Sequence, residues 1–89
     1  MKSVTTPQFW KAFKKLDNNN QEKARDIYRL WKENHNHPSL HFKKIHSTKS
    51  IYSIRIGLGH RALGLLHEET LIWFWIGSHQ DYDKKVNQM

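Results

Sequence analysis

The chain has 89 residues, with 15 Lys/Arg against 8 Asp/Glu, a formal net charge of +7 and no cysteine. A single domain over residues 1–89 is expected, its thin core helped by 4 Trp, 4 Phe and 3 Tyr, because rings bury the most area per residue. The lack of cysteine excludes a disulfide framework, a zinc ribbon and a thiol nucleophile, and the longest apolar run, Leu71 to Gly77, is too short to span a bilayer.

Met1 to Pro7 lacks the apolar stretch of a secretory signal, so a cytoplasmic protein is expected. Pro7 suits the first turn of a helix, with Thr6 as its N-cap. Phe9, Ala12, Phe13 and Leu16 then recur at helical spacing, and the polar run Asp17 to Asn20 interrupts them. Ala24, Ile27, Tyr28 and Trp31 carry the apolar stripe of a second helix, which ends around Asn34 to Pro38. The two helices form an antiparallel hairpin.

The period then changes from helical to alternating. Leu40 to Ile45 reads as a short strand. Ile51 to Gly57 alternates, with Tyr52, Ile54 and Ile56 on one face and Ser53 and Arg55 on the other. Gly57 to Gly59 is a turn, His60 to His67 a strand, and Glu68-Glu69 a second turn. Leu71 to Gly77 is a further strand, with Ile72, Phe74 and Ile76 on one face and Trp73 and Trp75 on the other. Ser78 to Met89 is polar and fits a short helix. The expected fold is α+β, an N-terminal two-helix hairpin packed on one face of a twisted antiparallel sheet.

Strict alternation leaves Arg55, Trp73, Trp75 and, if it runs on, His79 on the outer face of the sheet. Cations and rings on an open sheet suit RNA, since cations meet phosphates and rings stack on bases. In the competing reading, the tryptophans pack under the C-terminal segment. Residues 1–49 carry 11 Lys/Arg against 4 Asp/Glu, a balance that points to nucleic acid or an acidic protein as partner, or merely to a solvated surface.

Arg61, beside His60 and just after the turn, could hold a phosphate and offset charge as it builds in a transition state. A surface or ion-paired arginine is the plainer alternative. His79 could move a proton near neutrality, with Tyr82 one helical turn away and Asp81 and Asp83 near enough to orient it. Lys43, Lys44 and His46 form a basic cluster that would bind backbone phosphates or simply guard a strand edge. His35, His37, His41 and His46 match no standard metal-site spacing, so neither metal nor cofactor is expected. No phosphate loop and no nucleophile elbow is present.

Three segments carry a resemblance. They are Ile51-Tyr52-Ser53-Ile54-Arg55-Ile56-Gly57, then Gly59-His60-Arg61-Ala62-Leu63-Gly64, then Trp73-Phe74-Trp75-Ile76-Gly77-Ser78-His79-Gln80-Asp81-Tyr82-Asp83. With His37-Pro38-Ser39-Leu40 and Phe42-Lys43-Lys44-Ile45 upstream, the chain resembles the RelE/ParE superfamily of toxins from type II toxin–antitoxin systems. The resemblance runs nearly the whole length, in order.

This resemblance implies a cognate antitoxin that wraps the toxin in a hetero-oligomer. In the RelE branch it implies metal-independent cleavage of mRNA on the ribosome, by attack of a ribose 2′-hydroxyl on the adjacent phosphate, with loss of translation. Carried over by position, Arg61 contacts the phosphate, His79 transfers a proton and Tyr82 orients or stacks on the substrate. Arg55 matches a position that is Lys or His in some nucleases, and His37 a histidine used in one sub-branch. Lys43, Lys44 and His60 would contact RNA. The chain departs from the family in its early edge strand, reduced to roughly Lys2 to Thr5, and in having no glutamate placed as a general base in the second strand. The family offers no role for Trp73 and Trp75. The alternatives are a ParE-like inhibitor of DNA gyrase and a non-enzymatic module that binds RNA or an antitoxin. His79 and Tyr82 favour the nuclease.

Overall fold

Thr6 starts the first helix and ties it to the sheet. In a computed structural model covering all residues 1–89, its Oγ1 accepts from the Phe9 N–H at 3.1 Å and donates to the Trp73 carbonyl at 3.1 Å. Helix α1 (Pro7–Phe13) stops before Leu16, and the side chain of Gln21 donates to the carbonyls of Phe13 and Leu16 at 3.3 and 3.1 Å. Asp17 caps α2 (Asn18–Glu33), accepting from the Asn20 N–H at 2.8 Å. The polar run therefore separates the helices by capping, and its asparagines form the first turn of α2.

Five strands make one sheet in the order β1 (Lys2–Thr5), β5 (Thr70–Ser78), β4 (His60–His67), β3 (Ile51–Ile56), β2 (Lys43–Lys44). Strands β2 to β5 form the expected antiparallel meander, and β1 adds a parallel edge, Lys2 beside Thr70 and Thr5 beside Trp73. The final helix is α3 (His79–Asn87), capped by the Ser78 hydroxyl. No helix is long and apolar enough to cross a membrane.

The strand expected over Leu40 to Ile45 is only two residues long. Pro38–Leu40 forms a 3₁₀ turn instead, and His41 leaves it in the left-handed conformation, φ +46°. Leu40 is fully buried, and the Phe42 ring lies against Trp31 and Tyr52, so both flanks of His41 are anchored.

Between the helix hairpin and the sheet lies a core of Phe13, Ala24, Trp31, Leu40, Ile54, Ile56, Ala62, Leu71, Trp73 and Ile76. Trp31 sits at its centre, edge-on to Trp73 at 5.4 Å between ring centroids. Strict alternation in β5 fails here. Leu63 pairs with Trp75 and Gly64 with Trp73, so Phe74 is the extra residue of a β-bulge. Leu71 and Trp73 consequently face the helices, and Ile72 the other side, the reverse of the alternation expected for that stretch. Ile76 and Trp75 keep their expected faces. Gly64 provides the space: a Cβ there would fall 3.1 Å from Cε3 of Trp73 and 3.0 Å from Cγ of Leu71.

The outer face is not an open sheet. Helix α3 packs on β4 and β5, and the outward residues Ile51, Ser53 and Leu63 are buried. At the far end of α3 the His46 ring donates to the main-chain oxygen of Met89 at 3.3 Å. Trp75 lies over Gly77, where a Cβ would come within 2.5 Å of its Cζ2.

Candidate functional site

The β3–β4 register sets Arg55 directly opposite Arg61, and the β4–β5 register sets Arg61 beside Gly77. Directly opposed residues share a face with Cβ atoms about 4.5–5.5 Å apart. Both arginines thus rise from the outer face, at the end where α3 begins. Neither is in an ion pair, so two cations stand together uncompensated. Arg61 Nη1 donates to the His60 carbonyl at 2.8 Å. Arg55 Nε donates to the Gly57 carbonyl, and its Nη1 reaches His41 Nε2, both at 3.2 Å.

His79 comes next to this pair because its N–H donates to the Gly59 carbonyl at 2.8 Å, carrying the β4–β5 pairing into the first residue of α3. That makes His79 a diagonal neighbour of Arg61 across the ladder, roughly 7–8 Å away. Its ring stacks on Tyr82 with centroids 5.9 Å apart and planes 24° apart, and its Nε2 lies 3.7 Å from the Asp83 carboxylate. Asp81 is used otherwise, its N–H donating to the Ser78 cap. The end of the outer face therefore combines two guanidiniums without a carboxylate partner, an exposed imidazole and a phenol ring. Groups of these kinds are chemically able to hold a phosphate, move a proton and stack on a base.

Residues 18–84 match the model of the ParE-like toxin domain. The chain belongs to the ParE-like toxin family.

The toxin's fold recurs in solved structures. It matches the RelB–RelE antitoxin–toxin complex of Methanococcus jannaschii with a TM-score of 0.74 and 17% identity, over 92% of this chain and 96% of that one. YafQ from E. coli strain BL21(DE3) matches with a TM-score of 0.72 and 14% identity, over 90% and 94% of the two chains. Isolated E. coli RelE matches with a TM-score of 0.65 and 15% identity, over 98% and 96%. No curated protein matches by sequence. At these identities the structural likeness concerns the fold.

The toxin gathers Arg55, Arg61, His79 and Tyr82 at one end of the sheet, and it separates the other candidates. Lys43 pairs with Ser53 and so shares the outer face, whereas Lys44 pairs with Tyr52 and belongs to the helix side. His60 pairs with Ile56 and Ser78, again on the helix side, where it borders a polar cleft with Lys15, Asn20 and Lys84. His37 caps the 3₁₀ turn, its Nδ1 accepting from the Ser39 N–H at 3.2 Å and paired with the Ser39 hydroxyl at 2.8 Å. His35, His37, His41 and His46 do not converge, and no three potential ligands are placed to hold a metal ion. Spacing gave no sign of His41 as the neighbour of Arg55. Its contact arises from the left-handed turn after Leu40, whose only trace in the sequence is the Pro38 that opens the turn.

Proposed function

We propose that this toxin, a single domain over residues 1–89, is a ribosome-dependent endoribonuclease that cuts mRNA without a metal and so inhibits translation. The observation that carries the reading is the uncompensated Arg55–Arg61 pair beside His79. An anion is what that pair lacks, and a phosphodiester is an anion whose cleavage also needs a proton donor. Arg61 and Arg55 hold the non-bridging oxygens of the scissile phosphate and offset the charge that builds on them. The 2′-oxygen forms a new bond to phosphorus while the bond to the 5′-oxygen breaks. His79 gives its proton to the departing 5′-oxygen, and water takes the 2′-hydroxyl proton. Tyr82 stacks on a neighbouring base, and Lys43 contacts the backbone.

The partner proposed alongside is an antitoxin protein, in a cytoplasmic hetero-oligomer. It is supported by relatives of the same fold solved as RelB–RelE complexes from Methanococcus jannaschii and Pyrococcus horikoshii. The basic N-terminal half suits an acidic antitoxin.

A second reading, inhibition of DNA gyrase, is favoured by the ParE-like character of the matched domain. Brief induction in cells separates the two. In-frame RNA breaks within translated messages, with plasmid supercoiling unchanged, are the expected result. Intact messages with altered supercoiling would replace the nuclease by the gyrase inhibitor.

A further inference from the structure

His41 holds a conformation that a side chain disfavours, at a point where it touches one of the two site arginines. Its φ of +46° and ψ of +41° lie in the left-handed region, which costs a residue with a Cβ about 1–2 kcal/mol relative to glycine. The anchored Leu40 and Phe42 on either side fix that backbone. The ring is exposed and fills no core space. Packing therefore gives no reason for a histidine here. Its one side-chain partner is Arg55.

Arginine can only donate, so in this hydrogen bond His41 Nε2 is the acceptor. The Gly57 carbonyl takes the Nε–H of the same guanidinium. Two acceptors on different sides, one on Nε and one on Nη1, fix both the position and the plane of a group that is otherwise mobile. The guanidinium's remaining N–H donors are left for a ligand.

We infer that His41 is a positioning residue: with the Gly57 carbonyl it holds the Arg55 guanidinium in the orientation that meets the substrate phosphate. The inference rests on the nuclease reading. Preorganised donors act on a developing charge without first having to be oriented, so loss of the second anchor lowers the rate while Arg55 itself remains.

Three variants separate the side chain from the backbone. His41→Gly removes the ring and relieves the left-handed strain. His41→Asn tolerates the same backbone but ends too short to reach Arg55. His41→Gln places an amide oxygen at about the reach of Nε2. With ribosomes and a defined message, the Gly and Asn variants are expected to melt no lower than the parent yet cleave about 10-fold more slowly, the worth of one hydrogen bond to a charged group. The Gln variant is expected to recover most of the rate, which a purely structural role would not produce. A Gly variant that cleaves at the parent rate overturns the assignment and leaves the nuclease reading standing. If the parent itself does not cleave, the nuclease reading falls. Affinity for a short single-stranded RNA then decides the role of His41: weaker binding by the Gly variant than by the parent and Gln proteins upholds it, and equal binding overturns it.

Discussion

Arg55 and Arg61 face each other across β3 and β4, and neither has a carboxylate within ion-pair distance. Like charges directly opposite on a sheet are destabilising by a few tenths to about 1 kcal/mol. A pair kept under those terms, next to an exposed imidazole, is better placed for a ligand than for the fold.

Arg61→Ala should therefore separate activity from stability. Its cleavage of mRNA should fall roughly 10²–10³-fold, the usual effect of removing one donor to a developing anion. Its melting temperature should be unchanged or slightly raised. Primer extension on ribosome-bound message and a thermal melt give the two numbers. Unchanged cleavage would remove Arg61 from the site.

His79→Ala should relieve growth arrest while antitoxin binding persists, because a lost proton-transfer group lowers the rate by about 10²–10⁴-fold. Asp83→Asn should have a much smaller effect. The His79–Asp83 contact is long at 3.7 Å, and the two side chains are 50% and 61% exposed, a setting in which an ion pair contributes at most about 1 kcal/mol. Equal losses from the two variants would mean that Asp83, not His79 alone, acts on the substrate.

The β4–β5 turn stores strain far from this chemistry. Glu68 and Glu69 both have positive φ, +48° and +68°, where a two-residue hairpin favours Asn-Gly. Replacing the pair by Asn-Gly should stabilise the toxin by about 1–2 kcal/mol, read from the denaturant midpoint, with cleavage unchanged. The turn lies at the opposite end of β4 from His60 and Arg61, so a change in activity would show that the two ends of the sheet are coupled.

Gly77→Ala should destabilise by roughly 1–3 kcal/mol, the range for overpacking. The new methyl would fall 2.5 Å from the Trp75 ring. Trp75→Leu should return part of that loss in the double variant, and additive effects would show that the ring is not what excludes the methyl.

Helix α1 was legible from Thr6 and Pro7, the second helix from the Ala24–Trp31 stripe, and the meander from the glycine turn and Glu68-Glu69. The face of Trp73 was not. Its parity depends on the bulge at Phe74, and periodicity carries no mark of an inserted residue. The one hint was Gly64, an isolated glycine inside a strand. That His60 and Arg61 lie on opposite faces was recoverable, since adjacent strand residues point to opposite sides of a sheet. The same reasoning separates Lys43 from Lys44. His41 was beyond reach, because its contact joins residues far apart in sequence through a backbone conformation that no spacing encodes.

The parallel edge has a consequence for how the chain comes into being. Lys2 to Thr5 are made well before their partners, Thr70 to Trp73. Arg61 and His79, likewise, are late residues. During synthesis at about 5–20 residues per second the opening strand must wait for seconds without a partner. The sheet cannot close, nor can the arginine pair meet the imidazole, before the residues up to His79 have been made, so the parallel edge and the candidate site are completed together, as one late event of folding.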